Sequence, residues 1–133
     1  MSRKPLALIA DDDPDILLLL SLTLERDGYE VVVARDGLSA YEAALERVPH
    51  LVVLDLMMPG LDGCEVTRRL RAEEATKDVP IVIVTAFAEE SQVANAIEAG
   101  ADLYVKKPFS PKELLAKTAS LLLERRPRSR IAV

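Results

Sequence analysis

The sequence is poor in cysteine, histidine and large aromatic residues. Its 133 residues include one cysteine, Cys64, one histidine, His50, and no tryptophan. A single cysteine excludes a disulfide within the chain, which fits the reducing environment of the cytoplasm. Cys64 stands just inside a predicted helix, where a small packing residue is expected, and His50 stands alone in a predicted loop.

The chain also lacks long apolar runs and an excess of positive charge. The leucine-rich stretch over residues 16–20 is far too short to cross a bilayer, and the N-terminal sequence MSRKPLALIADDD does not have the pattern of a signal peptide. We therefore expect no membrane association. The net charge of -5 argues against direct nucleic-acid binding by the domain. No G-x-G-x-x-G or G-x-x-x-x-G-K-[ST] motif occurs, which disfavours a nucleotide or flavin binder.

The chain does contain enough apolar sequence for one folded domain, since half of its residues are hydrophobic. Its central stretch is LVVLDLMMPGLDG, residues 51–63. Four apolar residues, typical of a strand buried on both faces, end there at Asp55, and a turn-rich loop with Pro59 and Gly60 follows. An ionised Asp55 at the end of such a strand needs a charged or hydrogen-bonding partner.

Apolar runs and helical periodicities alternate along the chain. Strands are predicted over residues 6–10, 29–34, 51–54, 81–84 and 103–105, and helices over residues 14–27, 38–48, 63–74, 89–99 and 111–122. Asp13 is expected to cap the first helix, and Gly28 and Gly100 are expected to follow the ends of the first and fourth helices. Short connections predict parallel strands with right-handed crossovers. Because a closed barrel needs about eight such units, the predicted fold is an open, doubly wound five-stranded parallel α/β sheet.

Polar residues follow the predicted strands at the edge where ligands of such sheets bind. They are Asp11, Asp12 and Asp13 after the first strand, Asp55 after the third, Thr85 and Ala86 after the fourth, and Lys106 and Lys107 after the fifth. Clustered carboxylates favour a hard divalent cation such as Mg²⁺. Such a cation and a nearby ammonium lower the barrier for a phosphoryl group to approach a nucleophilic carboxylate.

The pattern resembles the receiver domain of a two-component response regulator, with the chemotaxis-regulator fold. The resemblance extends over residues 6–124 and is carried by Asp11-Asp12, Asp55 with MMPGLDG after it, Thr85-Ala86, Tyr104 and Lys107-Pro108-Phe109. It implies a flavodoxin-like (βα)5 sheet with strand order 2-1-3-4-5. It further implies a cytoplasmic phosphoprotein switch of a His-Asp phosphorelay, which catalyses its own phosphoryl transfer and slow self-dephosphorylation but is not otherwise an enzyme.

The same resemblance implies a phosphoacceptor and a metal site. Asp55 is the implied phosphoacceptor. Asp12, Asp55 and the backbone carbonyl of Met57 are the implied ligands of Mg²⁺, with Mn²⁺ as an alternative, and Asp11 is implied to act through water. Met57 and Phe87 are implied to flank the phosphoryl group, and we expect their apolar side chains to shield it from water.

The implied phosphate contacts lie at the ends of the last two strands. Thr85, the amide of Ala86 and Lys107 are implied to hold phosphoryl oxygens. Tyr104 is implied to change rotamer when Thr85 moves. A cis peptide bond is implied between Lys107 and Pro108, where an X-Pro bond makes it accessible.

The implied partners are a sensor histidine kinase or phosphotransfer protein and an unknown output partner or domain. The segment KPFSPKELLAK resembles receivers that dimerise through the fourth helix, fifth strand and fifth helix, although Leu103 replaces a second Asp that these often carry. The first helix has more leucines than can face a sheet, so we expect Leu18 and Leu22 to be exposed. Our hypothesis is that these two leucines help to dock the phosphodonor.

Two alternatives stay open. Asp11-x-Asp13 is superficially similar to the motif of aspartate-nucleophile phosphohydrolases of the haloacid-dehalogenase type, but that interpretation leaves Asp55 unexplained. Residues 1–124 are expected to form the receiver domain, and residues 125–133 a basic C-terminal tail or the start of a linker. The chain could therefore be a stand-alone regulator or an excised receiver.

Overall fold

The computed structural model describes residues 4–86 and 89–131 of the chain. Strands and helices alternate through this range in the order β1 (Leu6–Ala10), α1 (Pro14–Arg26), β2 (Glu30–Ala34), α2 (Gly37–Glu46), β3 (Leu51–Leu54), α3 (Gly63–Ala72), β4 (Ile81–Thr85), α4 (Glu90–Ala99), β5 (Leu103–Lys106) and α5 (Pro111–Ile131). The predicted alternation is therefore confirmed.

The strands form one parallel sheet in the order β2-β1-β3-β4-β5. Every residue of β1, β3 and β4 is buried, because these inner strands are covered by helices on both faces. The two edge strands, β2 and β5, are partly exposed. The predicted doubly wound fold and its strand order are confirmed.

The sheet separates two hydrophobic layers. Successive side chains of β1 enter opposite layers, so Leu8 packs on one face and Ile9 on the other. The layer around Leu8 includes Leu70 of α3, whereas the layer around Ile9 includes Leu20 of α1 and Leu114 of α5. Full burial of one such leucine contributes about 1.5–3 kcal/mol, so these contacts hold the strand ends in a fixed arrangement.

Aspartates cap the first three helices. The side chains of Asp13, Asp36 and Asp62 accept hydrogen bonds from backbone amides in the first turns of α1, α2 and α3. This satisfies amides that have no partner within the helix. Asp13 is thus the helix cap that the sequence predicts, and Gly28 and Gly100 adopt the expected left-handed conformation after α1 and α4.

Several helix ends differ from the predicted ones. Helix α1 ends one residue early, at Arg26, and helix α2 ends two residues early, at Glu46. Helix α3 ends at Ala72, before residue 74, because the hydroxyl of Thr76 donates to the Leu70 carbonyl at 2.6 Å. Helix α5 continues to Ile131 instead of ending before Arg125. Its extension includes leucine, glutamate and arginine, which all favour helices. Within the ranges that the structure describes, no helix combines the length and apolarity that crossing a bilayer would require.

Candidate functional site

Three aspartates meet at the carboxyl ends of two neighbouring strands. Asp11 and Asp12 follow β1, and Asp55 follows β3, whose last residue is in register with that of β1. The amide of Asp55 donates to the Ala10 carbonyl at 2.9 Å, which extends the strand pairing to the site. One carboxylate oxygen from each aspartate lies within 4.8 Å of the other two. Asp11 and Asp55 are buried and Asp12 is exposed, so the cluster opens to solvent on one side.

Lys107 brings the positive charge that Asp55 needs. It follows β5, and its Nζ lies 2.7 Å from Asp11 Oδ2 and 3.3 Å from Asp55 Oδ2. Only 15% of its side chain is exposed, so the ammonium is held between the two carboxylates with little access to water. The structure therefore brings the predicted lysine and aspartates together.

Burial and charge act against each other in this ion-pair network. Burial is the largest influence on Asp11 and raises its pKa, although the hydrogen bond from Lys107 opposes this effect. Burial also disfavours the charged form of Lys107. The hydrogen bond to Asp11 and the negative charges of Asp55 and Asp11 nevertheless outweigh burial and raise the lysine pKa. Lys107 thus stays cationic at the site.

Backbone amides also contact the carboxylates. Asp11 Oδ1 accepts a hydrogen bond from the amide of Asp13 at 2.9 Å, and Asp55 Oδ1 accepts a longer one from the amide of Met57 at 3.4 Å. Each loop therefore turns back over the carboxylate at its start. This geometry places the backbone of Met57 beside Asp55, and 49% of Met57 is exposed.

Thr85, Ala86 and Tyr104 lie on the other half of the same edge. Thr85 ends β4 and is fully buried, Ala86 follows it, and the Thr85 carbonyl accepts the amide of Lys107 at 2.7 Å. Tyr104 packs against the layer that contains Cys64. Burial, followed by the charges of Cys64 and Asp55, raises the pKa of Tyr104. The peptide bond between Lys107 and Pro108 is cis, as the resemblance implies.

Two glycines hold the β3–α3 loop against the rest of the site, a feature that the sequence analysis missed. A Cβ atom on Gly63 would lie 2.5 Å from the Asp55 carbonyl oxygen, and one on Gly37 would overlap the Leu61 carbonyl oxygen. Both contacts are too close for any side chain. A signal was available, because each glycine follows a helix-capping aspartate at a position where alanine is the better helix former.

Other predicted residues lie away from this cluster or outside the described residues. Leu18 and Leu22 lie on α1 and are 60% and 45% exposed, as expected from the excess of leucine on that helix. Phe87 is not among the described residues, so its expected position beside the phosphoryl group stays a prediction.

The donor set fits a hard divalent cation. Three carboxylates repel one another, and oxygen ligands are what Mg²⁺ binds. The cluster is open on the Asp12 side, where water or phosphate oxygens could complete the coordination. The arrangement therefore combines an acidic cluster that could hold a cation, a fixed ammonium and a buried carboxylate.

The family model described as the response regulator receiver domain matches residues 7–119. The phosphate regulon transcriptional regulatory protein PhoB of Pseudomonas aeruginosa is 42% identical over 115 residues, which are 86% of this chain and 50% of that protein. The alkaline phosphatase synthesis transcriptional regulatory protein PhoP of Bacillus subtilis is 44% identical over 122 residues, 92% of this chain and 49% of that protein. The chain thus spans about half the length of these curated relatives.

Solved structures give the same family. The receiver domain of a sensor histidine kinase from Pseudomonas aeruginosa, with a magnesium ion coordinated in its active-site cleft, is 32% identical with a TM-score of 0.80, over 86% of this chain and 93% of that one. The haloacid-dehalogenase interpretation has no such support. The family model matches most of the sequence, and the sheet has the strand order 2-1-3-4-5 that the resemblance implies. The chain therefore belongs to the response regulator receiver domain family.

Proposed function

We propose that this receiver is a phosphorylation-operated switch and that Asp55 is its phosphoacceptor. The observation that carries the proposal is the position of Asp55 between two other aspartates and Lys107. A carboxylate in such a place is a nucleophile whose target, an anionic phosphoryl group, is attracted by the neighbouring positive charge.

Asp12, Asp55 and the backbone carbonyl of Met57 would hold Mg²⁺ directly, with Asp11 acting through water. Mn²⁺ takes the same oxygen ligands and is expected to substitute. When bound, the cation neutralises the charge that develops on the phosphoryl oxygens. The acidic cluster supports this assignment, since without a cation its charges are offset by Lys107 alone among the described side chains.

The residues of the chain perform the transfer and hold its product. An oxygen of Asp55 attacks phosphorus, the bond to the donor breaks, and the donor leaves with its bonding electron pair, giving an aspartyl phosphate. Lys107 then exchanges its hydrogen bond to Asp55 for one to a phosphoryl oxygen. The hydroxyl of Thr85 and the amide of Ala86 donate to the remaining oxygens.

The added charge is the signal. A phosphoryl group adds roughly two negative charges, which draw Thr85 and Lys107 towards it. Tyr104, which packs against the layer that contains Cys64, follows Thr85 by changing rotamer. The surface of α4, β5 and α5 thereby changes for an output partner or domain, or for a homodimer formed through these elements.

The phosphodonor is a sensor histidine kinase or phosphotransfer protein in the cytoplasm, and Leu18 and Leu22 help to dock it. The chain catalyses its own loading and its slow self-dephosphorylation. The apolar side chain of Met57, together with Phe87, slows water attack on the acyl phosphate. Residues 125–133 act as a tail or as the start of a linker, a role compatible with relatives that are about twice as long as the matched segment.

Intact-mass measurement after incubation with acetyl phosphate tests the proposal. We expect a gain of about 80 Da that requires Mg²⁺ and is lost in excess chelator and in Asp55→Asn. Asp13→Asn is the matched control, because it also removes one negative charge at this edge while asparagine still caps α1. A gain that survives Asp55→Asn would overturn the assignment of the phosphoacceptor.

A further inference from the structure

One arginine of α3 forms hydrogen bonds to the C-terminal end of α4 and to the loop before β4. The guanidinium of Arg71 donates from Nε and Nη2 to the carbonyl of Gly100, at 3.0 and 2.9 Å. Nη1 donates to the carbonyls of Lys77 and Val79 at 3.1 and 2.6 Å. The carbonyl that ends α4 and the loop that leads into β4 are thus held by the same planar group.

Asp102 connects these hydrogen bonds of Arg71 to the sheet. Its Oδ2 accepts a hydrogen bond from Arg71 Nη2 at 2.9 Å and another from the Ile81 amide at 2.8 Å. The Asp102 amide in turn donates to the Ile81 carbonyl at 2.8 Å. We call Arg71, Gly100 and Asp102 the α4 lock, because together they tie the end of α4 to the first residue of β4.

The backbone of the lock leaves no room for a side chain. Gly100 has a φ of +113°, and a Cβ atom there would lie 2.8 Å from Cγ of Arg71. The arginine stem therefore lies directly against the glycine that ends the helix. Both conformation and contact favour glycine at this position.

The N-terminal end of α4 is held far less firmly. Its capping residue, Glu89, makes no side-chain cap hydrogen bond, and Gln92 Oε1 is buried without a hydrogen-bond partner in the part of the chain that the structure describes. The buried residues of α4, Ala96 and Ala99, both lie in its C-terminal half. Apolar burial and charge-assisted hydrogen bonds thus concentrate at one end of the helix.

The loosely held end is the one beside the candidate site. Helix α4 begins five residues after Thr85 and runs back to the start of β5. In a parallel sheet its first turn lies near the carboxyl edge, where Asp55 and Lys107 meet, and the α4 lock lies at the opposite edge.

We propose that α4 pivots about the α4 lock when the site is phosphorylated, so that its first half moves and its last half stays in place. The inference rests on the proposed phosphorylation of Asp55. Arg71 is a positioning residue in this mechanism, because it touches neither the phosphoryl group nor its ligands. Without the α4 lock, both halves of α4 would move on phosphorylation.

Amide-resolved NMR on the whole chain tests the proposal in two steps. In the unphosphorylated protein, Arg71→Met is expected to speed hydrogen exchange of the Ala101 and Asp102 amides by about tenfold or more, because the bonds that hold this corner are lost. Arg68→Met is the matched control, since Arg68 lies on the same helix with an exposed side chain paired to Glu65 at 3.6 Å. Unchanged exchange in Arg71→Met would overturn the lock.

The second step follows amide shifts on phosphorylation with acetyl phosphate and Mg²⁺, with intact mass measured in parallel. In the wild type we expect large amide shifts over residues 90–94 and small ones over residues 96–102. In Arg71→Met we expect large amide shifts over both ranges. Equal shifts along the wild-type helix would overturn the pivot. A missing mass gain would overturn the proposed function and the pivot's role in signalling, while the exchange result would still decide whether the lock exists.

Discussion

The ammonium of Lys107 lies 2.7 Å from a carboxylate oxygen of Asp11, although the two residues stand 96 positions apart in the chain. The strands that carry them are separated in the sheet by β3 and β4. Lys107 therefore reaches across the site and also contacts Asp55 on the way, at 3.3 Å. The ion pair therefore holds one positive charge beside both buried carboxylates.

Replacing Lys107 by methionine removes the charge that offsets these carboxylates. We expect the free energy of unfolding without Mg²⁺ to fall by about 1–3 kcal/mol, because buried acceptors lose their charged donor. Added Mg²⁺ should stabilise this variant more than the wild type, since the ammonium no longer competes with the metal. Urea unfolding followed by circular dichroism, with and without Mg²⁺, measures both effects.

Lys106→Met is the control, because Lys106 is the neighbouring lysine and its side chain is exposed. It is expected to change stability by less than about 0.5 kcal/mol. An equal loss in both variants would mean that general charge, and not the pair with Asp11, determines the effect.

Gly37→Ala tests the close approach between α2 and the β3–α3 loop. Helix propensity alone favours alanine by about 1 kcal/mol, but the new Cβ would overlap the Leu61 carbonyl oxygen. We expect the steric effect to win and the variant to lose about 1–3 kcal/mol of stability. Because Leu61 lies in the loop that carries Met57, Mg²⁺ affinity should fall as well, which titration calorimetry measures.

The control for Gly37→Ala is Ser91→Ala, an exposed position in the first turn of α4. This variant also introduces an alanine into the first turn of a helix, but at an exposed position. If Gly37→Ala is as stable as the wild type and binds Mg²⁺ equally well, the loop does not depend on this contact.

His50 has a structural contact that its isolated position in the sequence did not predict. Its Nδ1 accepts a hydrogen bond from the Leu6 amide at 3.0 Å, and its own amide donates to the Leu6 carbonyl at 2.8 Å. We expect His50→Ala to lower the free energy of unfolding by about 1 kcal/mol. His50→Asn should recover part of this loss, because an amide oxygen can take the place of Nδ1. Equal stability of the alanine variant and the wild type in urea unfolding would contradict this role.

The contrast between Asp55 and His50 shows where sequence reasoning succeeds. Asp55 could be placed because it ends an apolar run, and because parallel strands bring their carboxyl ends to one edge whatever their exact packing. The positions of Lys107 and Thr85 at this edge follow from the same rule, because both stand at the carboxyl ends of strands. Strand positions are set by local hydrophobic pattern, so β1 and β3 begin and end where predicted.

Contacts between distant loops do not follow from local pattern. The hydrogen bonds of Arg71 to Gly100 and Asp102 join residues 29 and 31 positions apart, and nothing in the helical periodicity of α3 indicates them. The predicted end of α5 at residue 122 was wrong for a different reason, since the helix continues to Ile131. The residues after 122 include good helix formers, and the helix continues through Pro127 although proline disfavours a helix interior.

The exposed leucines of α1 lead to a prediction about the phosphodonor. Burying one such side chain in an interface contributes about 1.5–3 kcal/mol, so Leu18→Asp with Leu22→Asp should slow transfer from a histidine kinase at least about tenfold. Loading by acetyl phosphate should stay unchanged, because neither residue lies at the acidic cluster. Ile97→Asp is the matched control, since Ile97 is as exposed as Leu18, at 60%, but lies on α4. Transfer rates from radiolabelled kinase decide the matter: an equal rate for the α1 variant and the wild type would exclude α1 as the docking surface.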